Sequence, residues 1–307
     1  MLMPHTSRPS SRAVIPWLVL GAWLVLQPSV LRNGWEVVTG PFTRARQLLP
    51  SLRTLATPEA GPAGREHAAR EGFMTYTFDQ VHLGVPDPEA AARWYRQYLG
   101  ATPGDHLDRV MFGDARILFL TNASPAPSHG SVIDHIGLSF ADLDERIQAL
   151  EGSGARVTTS VQALAGCYRA GFIEDPWGAR IELLEDPETL GLHHVHLQVP
   201  DPALARTWYL ERFGGEVARL KGQIDGVRYG DVWLLIDKGD AVPSRGHTID
   251  HIGWRMPDLL AEAAILKTKG VRFTTEPHPG PAAPHAPVFM GFTEDPWGGK
   301  IELVQRR

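Results

Sequence analysis

The sequence predicts an α+β protein in which four βαβββ modules form two tandem domains, behind an apolar segment and a linker. Three observations carry this. FDQVHLGVPDPEAAARWYRQYLG (78–100) returns as LHHVHLQVPDPALARTWYLERFG (192–214) at an offset of 114, and VIDHIGLSFADL (132–143) returns as TIDHIGWRMPDL (248–259) at an offset of 116. A hairpin is also written twice, as GFIEDPWGARIELLE (171–185) and GFTEDPWGGKIELVQ (291–305), at an offset of 120. Internal repeats with slowly growing offsets mean duplicated units separated by small loop insertions.

Residues 1–76 form the first part. Ala13 to Leu31 carries no charge and is rich in Leu, Val and Trp, with Arg8 and Arg12 before it. That pattern is expected of a signal sequence or a short membrane anchor, favoured here as uncleaved because no A-x-A site follows. Pro50, Pro58, Gly61, Pro62 and Gly64 then mark a flexible linker. The expected location is therefore membrane-anchored or exported, or cytoplasmic if translation starts at Met74.

The two domains are expected at 77–188 and 190–307. Within each, an alternating apolar strand, a Pro-containing turn, a helix and further strands occur twice. Asp87 and Asp201 are expected to cap helices that begin at Pro88 and Pro202 and close at Gly100 and Gly214. Trp94, Tyr95, Trp208 and Tyr209 fall at core spacing on those helices. Asp-Pro-Trp-Gly is a hairpin turn in which Gly178 or Gly298 takes positive φ.

Composition narrows the chemistry. The chain has 30 Lys and Arg against 35 Asp and Glu, a net charge of −5, and its 77–307 portion holds no basic run, so nucleic acid is not the expected partner. Cys167 is the sole cysteine, so a metal must rely on His and carboxylate. On a strand, Gln80, His82 and Gly84 share one face while Val81, Leu83 and Val85 share the other, which suits the helix. His82 then lines the opposite, concave face. The same register places His135, His196 and His251 on first strands and Glu182 and Glu302 on last strands. A buried glutamate beside imidazoles is costly without a compensating cation. Two His and one Glu converging from three strands make a facial triad with open positions.

VHLGVPDP, IDHIG and EDPWGxxIEL, in order over residues 77–307, resemble the vicinal oxygen chelate (VOC) superfamily of glyoxalase I, fosfomycin resistance enzymes, bleomycin-binding proteins and extradiol dioxygenases. The resemblance implies cups around a divalent metal that chelates two neighbouring substrate oxygens. It implies His82, His135 and Glu182 as one ligand set and His196, His251 and Glu302 as the other, the latter principal by analogy with tandem dioxygenases. Leu118 and Leu235 stand where glyoxalase I carries a fourth, carboxylate ligand. That favours an extradiol-like oxygenase, with Fe(II) or Mn(II) ahead of Zn(II) or Ni(II). Against it, Phe292, and Phe172 in the other domain, occupy the place of a catecholate-binding tyrosine. His194 and His285 are then the candidate proton donors, and Arg180 and Lys300 the candidate anion holders. A glyoxalase-like lyase or isomerase, a fosfomycin-type transferase, and a non-catalytic small-molecule or antibiotic binder are the alternatives. A small-molecule substrate is expected, and a homodimer fits the resemblance.

Overall fold

The computed structural model describes residues 75–164 and 166–307. The apolar segment 13–31 and its linker lie outside the described residues. Among the described residues, no helix is long and apolar enough to cross a membrane.

Module 1 comprises β1 (Thr77–Val85), α1 (Pro88–Leu99), β2 (Thr102–Pro103), β3 (Arg109–Phe112) and β4 (Ala115–Thr121). Module 2 comprises β5 (Ile133–Ser139), α2 (Leu143–Ala149), β6 (Arg156–Ala163), β7 (Arg169–Glu174) and β8 (Arg180–Glu185). Module 3 runs through β9 (Gly191–Val199), α3 (Pro202–Phe213), β10 (Glu216–Leu220), β11 (Ile224–Tyr229) and β12 (Val232–Lys238). Module 4 runs through β13 (Ile249–Arg255), α4 (Leu259–Thr268), β14 (Phe273–Pro279), β15 (Phe289–Glu294) and β16 (Lys300–Gln305). An aspartate caps every one of these helices: Asp87, Asp142, Asp201 and Asp258 each accept a backbone N–H from the first turn.

The modules pair across the tandem repeat. One eight-stranded sheet runs β14-β15-β16-β13-β1-β4-β3-β2 and joins modules 1 and 4; the other runs β10-β11-β12-β9-β5-β8-β7-β6 and joins modules 2 and 3. These are called the outer-module and inner-module sheets. At the centre of each, two first strands lie antiparallel, β1 on β13 and β5 on β9. The ligand sets implied by the resemblance are therefore regrouped. His82 meets His251 and Glu302, while His135 and Glu182 meet His194 and His196.

One continuous apolar core spans both sheets and is built from the alternate residues of the central strands, such as Val81, Leu83, Val195, Leu197, Ile136 and Ile252. The helices join what the sheets separate. Tyr95 on α1 donates its hydroxyl to Asp175 Oδ2 of the module 2 hairpin at 2.8 Å, and Tyr209 on α3 does the same to Asp295 at 2.7 Å. Each aspartate's other oxygen accepts the turn's backbone N–H groups, from Trp177 and Ala179 or from Trp297 and Gly299. Gly178 and Gly298 take φ of 95° and 92° as the turn requires. Burial pushes both carboxyls up to about 6, against the pull of these hydrogen bonds. Asp-Pro-Trp-Gly thus both turns the chain and fastens a hairpin to the preceding module's helix.

Candidate metal centres

The outer-module cup gathers His82 and Gln80 from β1, His251 from β13 and Glu302 from β16. Glu302 Oε2 lies 3.2 Å from His82 Nε2 and 3.4 Å from His251 Nε2. Gln80 Nε2 donates to the same oxygen. The two imidazoles stack with centroids 4.2 Å apart. Asp250 Oδ1 is 2.6 Å from His251 Nδ1, which turns Nε2 toward the glutamate, and Lys300 Nζ donates to the same Asp250 oxygen at 2.6 Å.

The inner-module cup repeats the plan with different contents. Glu182 Oε2 is 3.2 Å from His194 Nε2 and 3.6 Å from His135 Nε2. Asp134 holds His135 Nδ1 at 2.7 Å and is itself bonded by Arg180. His196 stands beside His135, with ring centroids 4.6 Å apart, and its Nε2 is 3.1 Å from Asp237. His194, expected as a proton donor, thus faces Glu182 among the ligand candidates, whereas His196, expected as a ligand, leans on Asp237.

Positions 80 and 194 correspond at the 114 offset, and the structure explains why they reach the glutamates. Gly137 and Gly253, the glycines of the two IDHIG motifs, leave room for them. A Cβ on Gly137 would come within 2.1 Å of the His194 ring, and one on Gly253 within 2.9 Å of Gln80 Cγ. Strand alternation puts Gln80 on the face of His82 but gives it no role, and it gives none to Asp134 and Asp250, although the aspartate precedes the histidine in both copies of IDHIG.

Arg180 and Lys300 are committed to Asp134 and Asp250, and each cation also lies over a phenylalanine ring, Phe172 at 4.2 Å and Phe292 at 5.0 Å. They hold the histidine-orienting aspartates rather than an open anion site. Phe172 and Phe292 meet His135 and His251 edge-on, at 5.1 and 5.5 Å between centroids. His285 sits on the rim of the outer-module cup, 4.0 Å from Asp105, with φ of 61°. It belongs to a different sheet from His194.

The electrostatics suit a cation. Burial drives His82 down to about 3, with His251 adding to the effect and Glu302 opposing it; burial likewise takes His194 to about 3. Burial works against ionised Glu182 and Glu302 as well, yet the facing imidazoles outweigh it and hold both carboxyls below the usual range. His135 moves the other way: its hydrogen bond to the Asp134 carboxylate and the nearby negative charge of Glu182 overcome burial and raise it. Ionised glutamates therefore face buried Nε2 atoms of His82, His251, His135 and His194, none of which makes a well-formed hydrogen bond. Such nitrogens are rare unless something binds them. His82, His251 and Glu302 form one group able to hold a metal ion, and His135, His194 and His196 another, with Glu182 against the second. The nitrogen and oxygen donors fit Fe, Mn, Zn or Ni.

A family model described as Glyoxalase/Bleomycin resistance protein/Dioxygenase superfamily matches residues 77–183 and again 191–303. The chain belongs to this superfamily. Two solved members share its fold at low identity. Glyoxalase I from Zea mays superposes with a TM-score of 0.62 at 20% identity, covering 75% of this chain and 92% of that one. A putative dioxygenase from Bacillus subtilis gives 0.56 at 16%, covering 76% and 86%. No curated protein is similar enough in sequence to count as a match.

The two superfamily cups differ in what lines them. The outer-module site opens on a cavity of about 550 Å³ walled by Leu118, Met290, Arg109, Arg306 and the Pro-rich connection 280–288. In the inner-module cup, Tyr168, Leu184, Leu220, Trp233 and Leu235 form a second apolar cluster.

Proposed function

We propose that the outer-module cup is a divalent-metal centre acting on a small substrate through two vicinal oxygens, with glyoxalase-like proton-transfer chemistry. The observation that carries this is the pair of orphaned imidazole nitrogens facing an ionised Glu302 at the floor of an open cavity with both polar and apolar walls. His82, His251 and Glu302 would hold the metal, which when bound supplies Lewis acidity to the substrate oxygens. Asp250 and Lys300 fix the His251 ring. Leu118 and Met290 keep the wall beside the site apolar. Two histidine–carboxylate pairs on the rim, His106 with Asp108 at 3.1 Å and His285 with Asp105, are placed to take and return a proton.

An extradiol oxygenase is the second reading. It is favoured by the absence of a fourth carboxylate, Leu118 lying beside His82 on the neighbouring strand. It is weakened because Phe292 offers no hydroxyl and His194, the substitute donor, serves the other cup. The test is metal analysis of anaerobically purified protein. Reconstitution with Fe(II), Mn(II), Zn(II) and Ni(II) follows, with assays of α-ketoaldehyde–thiol adduct isomerisation and of oxygen uptake on catechols. Turnover of the adduct without oxygen uptake supports the first reading; oxygen uptake that rises in Phe292→Tyr supports the second. A chain that binds no metal under any condition overturns both. The segment 13–31 would tether or export the enzyme, which fractionation of cells making the full chain would show.

A further inference from the structure

Because the two repeats are alike, most contacts cannot specify which modules share a sheet. Val81 and Val195, the two IDHI strands and the two tyrosine–aspartate fastenings occur in both copies, so module 1 would meet module 2 as well as it meets module 4. Discrimination has to come from positions at which the copies differ. The seam between first strands contains such a set, and its charges are inverted between the sheets.

In the outer-module sheet, Asp79 of module 1 is buried and held by two arginines of module 4. Arg306 lies 2.8 Å and Arg255 3.9 Å from its carboxylate, while Arg116 of its own module lies at 3.1 Å. At the corresponding positions of the inner-module sheet, His193 replaces Asp79, Asp186 replaces Arg306 and Ser139 replaces Arg255. The acid now comes from the other side. Asp186 of module 2 is buried against two module 3 groups, Lys221 Nζ at 2.9 Å and His193 Nε2 at 3.4 Å.

We propose that this inverted seam selects the pairing of module 1 with 4 and of 2 with 3. Pairing 1 with 2 and 3 with 4 would seat Asp79 against Asp186 in one sheet, with Arg116 alone to serve both carboxylates. In the other, it would gather Arg306, Arg255 and Lys221 around His193 with no acid. Burying like charges together is strongly unfavourable, and repulsion against the wrong partner is how near-identical surfaces achieve specificity. The same choice sets the composition of both candidate metal centres, since each takes its glutamate and one histidine from one module and its remaining first-strand residues from the other.

The test uses the full chain with Cys167→Ser and a pair of reporter cysteines, with Arg255 replaced in every chain, by Cys in one reporter and by Ser in the other, so that the remaining seam charges alone differ. Thr77 and Arg255 are cross-strand partners in the observed sheet; Thr77 and Ser139 would be partners in the other arrangement. With the natural seam, only Thr77→Cys/Arg255→Cys should form a disulfide after refolding. Asp186→Arg with Arg306→Asp reverses every preference, and the bond should move to Thr77→Cys/Ser139→Cys. This double variant should also recover part of the Tm lost by Arg306→Asp alone. Neutralisation by Asp186→Asn and Arg306→Met carries no repulsion, and there both disulfides should appear. Exclusive Thr77–Arg255 bonding in the swapped and neutralised chains overturns the proposal and leaves the short connection 186–190 as what dictates pairing. A double variant with a Tm no higher than that of Arg306→Asp overturns it too.

Discussion

The outer-module and inner-module cups share a backbone plan but treat a ligand cluster in opposite ways. Beside Gln80, on the neighbouring strand, stands Arg116; beside His194 stands Trp233. The outer-module floor opens on a cavity bounded by Arg109, Arg306, Leu118, Met290 and the connection 280–288. In the inner-module cup, Trp233 packs with Leu235, Tyr168 and Leu220, so apolar side chains stand on the strand beside the imidazoles. A set of donor atoms makes a catalytic centre only where substrate can reach it. On the proposed function, turnover belongs to the outer-module cup, where the ligand cluster opens on a cavity.

The largest expected effect separates the two glutamates. Glu302→Gln should lose one bound metal and activity by at least about 100-fold. Glu182→Gln should lose the other metal and leave turnover within a few-fold. Metal content by elemental analysis beside steady-state rates checks both, and equal activity loss in the two variants would break the comparison.

Next in size is the apolar cluster of the inner-module cup. Trp233→Ala removes a buried indole and should cost about 3–5 kcal/mol in urea unfolding while the outer-module activity persists at permissive temperature. Smaller still, Asp250→Asn frees the His251 ring and should weaken outer-module metal affinity about 10–100-fold, with Asp134→Asn doing the same for the inner-module site only. Competition titration with a chromophoric chelator would read each.

The smallest effect is in pH dependence. In metal-free protein, His82 stays neutral until about pH 3, while the unfolded chain protonates near 6.5. Its contribution is thus present above pH 6.5 and is lost as pH falls toward 3. Stability of wild type relative to His82→Gln should therefore decline between pH 7 and 4. Asp175 and Asp295 have the opposite sign, since carboxyls raised to about 6 favour the folded state below pH 3.8 and lose that benefit as pH rises. Both groups are common to wild type and variant, so they cancel in the difference. A flat difference across this range would mean that His82 is not held neutral.

Much of this was legible in the chain itself. Strand alternation placed His82, His135, His196, His251, Glu182 and Glu302 on concave faces, and the aspartate caps, glycine stops and Asp-Pro-Trp-Gly turns were local chemistry readable residue by residue. Tertiary structure alone decided which histidine meets which glutamate. Repeated motifs carry no information about their partners, and the charges that break the tie, Asp79, His193, Asp186 and Arg306, lie far apart in sequence. It also decided that Gln80 and His194 reach the glutamates, because that depends on a missing Cβ on the adjacent strand. Finally it decided what lines each cup, because a tryptophan on a strand reads the same whether it faces solvent, a substrate or neighbouring side chains.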